Sequence, residues 1–230
     1  VAVHNDRFGA GYDLPDAGNP AAPTDYPAAV YFAAKDISSD QFLTTVENVT
    51  VTLADQNDNI FAVDSTHETI ETVIQGGNAT NNITIGSTAT GLHPNSLNRL
   101  NYIAGSLSLN LPGASDRVFF NDAGEDRADA GLFDGESLSG LGAGKAITVS
   151  GAEDVSIRLG EQADTFAVTK TASDTNVTVN AGDAADTIYV GTDGTTQGLS
   201  QLSSIEGLLV IDGGDFDDLD TLYIDDSKSS

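Results

Sequence analysis

Glu47-Asn-Val-Thr-Val-Thr-Leu-Ala-Asp-Gln-Asn-Asp-Asn-Ile-Phe-Ala-Val63 returns in the same chain as Glu153-Asp-Val-Ser-Ile-Arg-Leu-Gly-Glu-Gln-Ala-Asp-Thr-Phe-Ala-Val168, one residue shorter. The echo continues outward from both copies. Ile74-Gln-Gly-Gly-Asn-Ala-Thr-Asn-Asn-Ile83 matches Val179-Asn-Ala-Gly-Asp-Ala-Ala-Asp-Thr-Ile188, and Leu100-Asn-Tyr-Ile-Ala-Gly105 matches Leu202-Ser-Ser-Ile-Glu-Gly207. Self-similarity at a long period marks stacked equivalent units, each burying its apolar faces against its neighbours.

Three further segments look like one punctuation mark: Val1-Ala-Val-His-Asn-Asp6, Val118-Phe-Phe-Asn-Asp122 and Leu222-Tyr-Ile-Asp-Asp226. They divide the chain into a first unit at 1–117, with an irregular insert near 15–43, a second unit at 118–221, and the start of a third at 222–230. A repeat cut in mid-phase is expected to continue in a longer parent protein. Within a unit the apolar residues alternate: Val155, Ile157, Leu159; Phe166, Val168; Val177, Val179; Ile188, Val190; Leu208, Val210; Leu222, Ile224. Alternation over such short runs predicts strands with one buried face. Successive strand pairs recur about every 22 residues, or somewhat over 30 across a loop, which is one rung of a β-solenoid. Residues 122–144 read as a loop plus a weakly marked rung.

Composition supports strands and turns over helices. Of 35 acidic residues 27 are Asp and eight are Glu, and Asp favours turns because its short carboxylate bonds nearby backbone N–H groups. A Gly/Asp turn closes each strand pair and ends in Asp58, Asn81, Asp116, Asp164, Asp186 or Asp220. These side chains are expected to accept backbone N–H bonds in the corner and fix the direction of the next strand. The net charge of −26 opposes nucleic-acid binding and implies self-repulsion that salt or bound cations relieve. Cys is absent, which excludes disulfides and thiolate chemistry. No apolar run of about 18 residues is present, so membrane insertion is not expected.

The phrases between Val177 and Gly191, Leu202 and Gly214, and Asp220 and Ser227 resemble the tandem repeats of giant secreted bacterial adhesin-like or surface-layer proteins. The resemblance implies a parallel β-helix, an extracellular or cell-surface place, and a structural or adhesive role. The corner turns Ala181-Gly-Asp-Ala-Ala-Asp-Thr-Ile-Tyr189 and Gly76-Gly-Asn-Ala-Thr-Asn-Asn-Ile-Thr84 also resemble degenerate haemolysin-type calcium-binding nonapeptides, with Ala for the fourth-position Gly. Calcium is therefore the candidate cofactor. The densest oxygen-rich stretch, Asp212, Asp215, Asp217, Asp218 and Asp220, is the candidate metal cluster, since a hard cation takes six to eight oxygens. The alternative is a hydrophilic turn with capping Asp residues.

Catalysis finds little support. The arginines Arg7, Arg99, Arg117, Arg127 and Arg158 are scattered, and His4, His67 and His93 share no metal-ligand spacing. Sequons at Asn48, Asn78, Asn82 and Asn176 would carry glycans in a glycosylating host. The expected fold is an all-β right-handed parallel β-helix of two related units, with a tandem β-sandwich as the alternative. The expected function is a non-enzymatic structural module of an extracellular filament, sheath or surface layer, docking end to end as a homo-oligomer or continuing in a longer chain. An adhesin stalk or calcium-stabilised binding module is the second reading, and a polysaccharide-active enzyme the third. The Pro-rich insert offers Pro23, Tyr26, Tyr31 and Phe32 as assembly contacts.

Overall fold

The computed structural model describes residues 47–56, 58–86, 98–192, 201–215 and 218–227. The chain divides into Val1–Glu47 and Asn48–Ser230, and apart from Glu47 every described residue belongs to the second unit.

That unit is all-β. Its strands are β1 (Asn48–Thr52), β2 (Asn59–Val63), β3 (Glu71–Gln75), β4 (Asn81–Ile85), β5 (Leu107–Asn110), β6 (Arg117–Asn121), β7 (Ala130–Phe133), β8 (Ser137–Gly140), β9 (Ile147–Ser150), β10 (Asp154–Arg158), β11 (Thr165–Val168), β12 (Asn176–Asn180), β13 (Thr187–Val190), β14 (Leu209–Asp212) and β15 (Thr221–Ile224). They form two sheets, in the orders β1-β3-β5-β9-β8-β7-β11-β13-β15 and β14-β12-β10-β6-β4-β2. The chain passes between the sheets from strand to strand, and each new strand lies parallel to the one a rung earlier, as in a β-solenoid. The exceptions are β7·β8 and β8·β9, which pair antiparallel. Residues 122–144 thus contain a turn and two strands, with a hairpin where a loop and weak rung were expected.

That hairpin changes the phase of the described unit. β1 to β6 alternate between the sheets, starting in the nine-stranded one; β10 to β15 alternate too, starting in the six-stranded one. The zigzag β7-β8-β9 makes all its strands on one sheet, so it counts as a single pass. The second copy of the repeat therefore begins on the opposite sheet from the first. The return from β8 to β9 needs three consecutive left-handed residues, Gly140 (φ 82°), Leu141 (φ 50°) and Gly142 (φ 74°). A Cβ on Gly140 would lie 2.0 Å from the Ala130 carbonyl oxygen, so only Gly fits. Leu141 holds its unfavourable conformation because its side chain is fully buried.

The core lies between the sheets. In the six-stranded sheet it is Phe61 and Val63, Ile83 and Ile85, Val118 and Phe120, Val155 and Ile157, then Val177 and Val179, one pair per strand. Phe120, Phe133 and Phe166 are the largest fully buried side chains. Each contributes on the order of 1.5–3 kcal/mol by leaving water. Gly131 sits opposite Phe166, and a Cβ there would come 2.7 Å from both Phe166 and Leu141, so its bareness makes room for the ring.

One expected alternation is corrected. Leu208 and Val210 are exposed, and Leu209 and Ile211 turn inward in register with Val177 and Val179. Leu208-Leu-Val-Ile211 is apolar in both phases, so pairing with the previous strand, not the local pattern, sets which residues enter the core.

Candidate functional site

The corners carry a ladder of side chains that runs from rung to rung. The Asp116 carboxylate accepts from Gly113 N–H in its own corner (2.9 Å) and from Asn81 N–H one rung earlier (2.8 Å). Asp164 does the same with Gly160 N–H (3.0 Å) and Asp129 N–H (2.7 Å). Asp186 accepts from Asp164 N–H (2.6 Å), and Asp220 from Asp186 N–H (2.9 Å). Corner residues thus tie neighbouring rungs together as well as closing their own turn. The first rung shifts by one position. Its corner is one residue longer than that of the second copy, and the ladder place passes from Asp58, which is exposed, to Asn59. Asn59 Nδ2 donates to Ala54 O (2.9 Å) and to Asn81 Oδ1 (2.8 Å). Composition had no way to reveal Glu153, which continues the ladder across the phase change by accepting Asp116 N–H at 2.6 Å.

A second repeated device sits outside the sheets. Thr66 Oγ1 accepts Gly105 N–H (2.9 Å) and Thr171 Oγ1 accepts Gly207 N–H (3.0 Å), beside the bridges Thr66–Ile103 and Thr171–Ile205. The short 3-10 turns Leu100–Tyr102 and Leu202–Ser204 are held from the next rung: Leu100 N–H bonds Asp122 Oδ1 (2.7 Å) and Leu202 N–H bonds Asp226 Oδ1 (3.0 Å).

Packing these acids inside has an electrostatic consequence. Burial pushes the Asp122 carboxyl up to about 8, against the opposing bond from Leu100 N–H, with Glu125, Asp129 and Asp164 adding repulsion. Burial likewise raises Asp186 to about 7, and raises Asp129 and Asp164. Asp122 Oδ2, Glu125 Oε2 and Asp186 Oδ2 are buried without a hydrogen-bond partner. Glu125 keeps company with Arg127 (3.2 Å) and, more distantly, Arg99 (3.9 Å). At the surface Arg99 bonds Asp126 at 3.1 Å and holds that carboxyl below the usual range.

The candidate metal cluster is spread along the last corner. Asp212 accepts from Gly214 N–H (3.1 Å) and Asn180 Nδ2 (3.2 Å), Asp218 from Ala184 N–H (2.6 Å), and Asp220 from Asp186 N–H. Asp215 bonds Gly182 O through its backbone N–H (3.3 Å), and Asp217 lies outside the described residues. Among the described residues no group of three or more His, Cys, Asp or Glu side chains is placed to hold a metal ion. The carboxylates of Asp212, Asp218 and Asp220 serve here as acceptors for backbone and amide N–H groups. The expected assembly contacts Pro23, Tyr26, Tyr31 and Phe32 lie outside the described residues.

Two surfaces stand out. Along the six-stranded sheet run two open depressions of about 470 and 410 Å³, with Phe119 in both; Arg117, Asp154 and Asn176 border the first, and Arg158 and Asn180 the second. Arg117 and Asp154 pair at 3.3 Å, and Asn176 donates to Asp154 at 3.0 Å. The other surface is the edge at β14 and β15. Leu222 and Ile224 are 48% and 60% exposed, although their register partners Ile188 and Val190 are 1% and 6% exposed. Tyr223 stacks on Tyr189 with ring centroids 5.1 Å apart. Comparison with family models, curated proteins and solved structures finds no match to this chain.

Proposed function

We propose that this chain is a structural repeat module of an extracellular filament, sheath or surface layer, a right-handed parallel β-helix that joins neighbouring units end to end by strand stacking. The exposed edge of β15 carries this reading. It presents core-register side chains to solvent at the end of the nine-stranded sheet, and an exposed apolar strand edge is a template for another strand. The net charge of −26 keeps such modules apart laterally and confines attraction to the ends. Negative-stain electron microscopy and sedimentation of the purified chain test the proposal. Rods that lengthen with concentration, and shorten in Leu222→Asp, are expected; uniform single particles at every concentration would remove end-to-end assembly.

The second reading is an adhesin stalk or binding module, stabilised by calcium at the Asp212–Asp220 corner, and the depressions around Phe119 favour it. It predicts ligand capture lost in Phe119→Ala and a melting temperature lowered by chelator. Unchanged melting in excess chelator removes calcium as a structural ion.

A further inference from the structure

The junction between the two halves of the described unit shows what the open edge is shaped to receive. By sequence repetition and by their place in the corners, β5 and β6 correspond to β14 and β15, and β1 corresponds to β10. Inside the molecule β6 receives β10 in parallel, with Arg117 opposite Asp154, Val118 opposite Val155 and Phe120 opposite Ile157. All four apolar residues of this junction are buried. β10 also brings Glu153, whose carboxylate accepts Asp116 N–H and whose own N–H bonds Asp116 O at 3.0 Å. β15 repeats the receiving half of the junction: Asp220 stands for Asp116, Leu222 for Val118 and Ile224 for Phe120.

We propose that the β14–β15 edge is the docking surface for the leading strand of a second copy of this repeat, a strand of the pattern Glu-polar-Val-polar-aliphatic. Its Val lies opposite Leu222, its next aliphatic residue opposite Ile224, and its Glu accepts the Asp220 N–H. The chain carries this pattern as Glu47-Asn-Val-Thr-Val51 and Glu153-Asp-Val-Ser-Ile157. β15 has Thr221 where β6 has Arg117, so the incoming strand needs no acid at that position, and the Asn48 version suits an edge already lined by Asp218 and Asp220. This inference rests on the end-to-end reading and adds the identity and register of the partner strand.

The test is a chain extended after Ile224 by a second copy of its own residues 121–192, which places a new β10 in phase with β15. Amide exchange of Leu222, Tyr223 and Ile224 is expected to slow at least ~tenfold, approaching that of Val118 to Phe120. The slowing should vanish when Val155→Asp is made in the appended copy alone. Exchange as fast as in the unextended chain overturns the proposal, because a matched edge should template the strand offered to it. Equal slowing in the Val155→Asp version overturns it too. So does disulfide dimerisation of the unextended Tyr223→Cys chain through antiparallel β15–β15 pairing. An unextended chain that never assembles, while its extension protects β15, removes self-assembly and leaves this register standing.

Discussion

Asp186 and Asn81 occupy the same place in the two copies of the repeat, and the difference between them is one atom with a large consequence. Asn81 Nδ2 donates to Gly77 O (3.0 Å), Ala79 O (2.9 Å) and Asp116 Oδ1 (2.8 Å). Asp186 has an oxygen there, buried and without a partner. Asp186→Asn is therefore expected to stabilise the fold by roughly 1–2 kcal/mol above pH 7, read from the urea midpoint. The pH dependence of the native chain follows from the same acids. Asp122 and Asp186 have folded pKa values of about 8 and about 7 against an ordinary 3.8, so the folded state holds protons that the unfolded state releases. Their stabilisation is complete below about pH 4 and is lost as pH rises through 7 and 8. The urea midpoint should be higher at pH 5.5 than at pH 8.5, and Asp186→Asn should flatten part of that slope. A midpoint that rises with pH over this interval would show that these acids are ionised at no cost. The corner positions were legible in the sequence because Asp and Gly mark turns. Their partners one rung away were not, since a hydrogen bond spanning 22 to 35 residues leaves no local pattern.

Among the elements, the β7-β8-β9 zigzag decides most. Gly140→Ala would drive a methyl group into the Ala130 carbonyl and force a non-glycine residue into the left-handed region. A loss of about 1–3 kcal/mol is expected, measured by thermal or urea unfolding. The paired threonines give an internal control. Thr66→Val and Thr171→Val each remove a bond to a glycine N–H in a buried setting, so both should cost about 1–2 kcal/mol, and unequal losses would show that the two bridges differ in strength. Strand alternation was readable wherever polar residues separated apolar ones, as in β10 and β12. It failed at the entry to β14, where the four apolar residues Leu208 to Ile211 satisfy either phase, and in the hairpin, where Gly and Ser leave too few apolar side chains to show a period.

At the scale of the molecule, the described unit is a one-dimensional stack, in which stability is the sum of rungs and the contacts between them. Exchange protection should therefore be highest near β6, β10 and β12 and fall toward β15, whose four residues are all exposed. Uniform protection along the stack would contradict the exposure of β15. Salt should raise the melting temperature, because 35 acids against nine bases repel one another in the compact state.

Alternation and Asp-rich corners were enough to point to short strands joined by tight corners, as the described residues have them, because periodicity and turn chemistry act over a few residues. Only the tertiary structure decided that the second copy starts on the opposite sheet from the first, that Leu209 and Ile211 face inward, and that Asn59 stands in the ladder in place of Asp58. Each of those depends on which strand lies beside which. That is fixed by the number of passes the chain makes between sheets and by the volume left in the core, and neither quantity is written in any local stretch of residues.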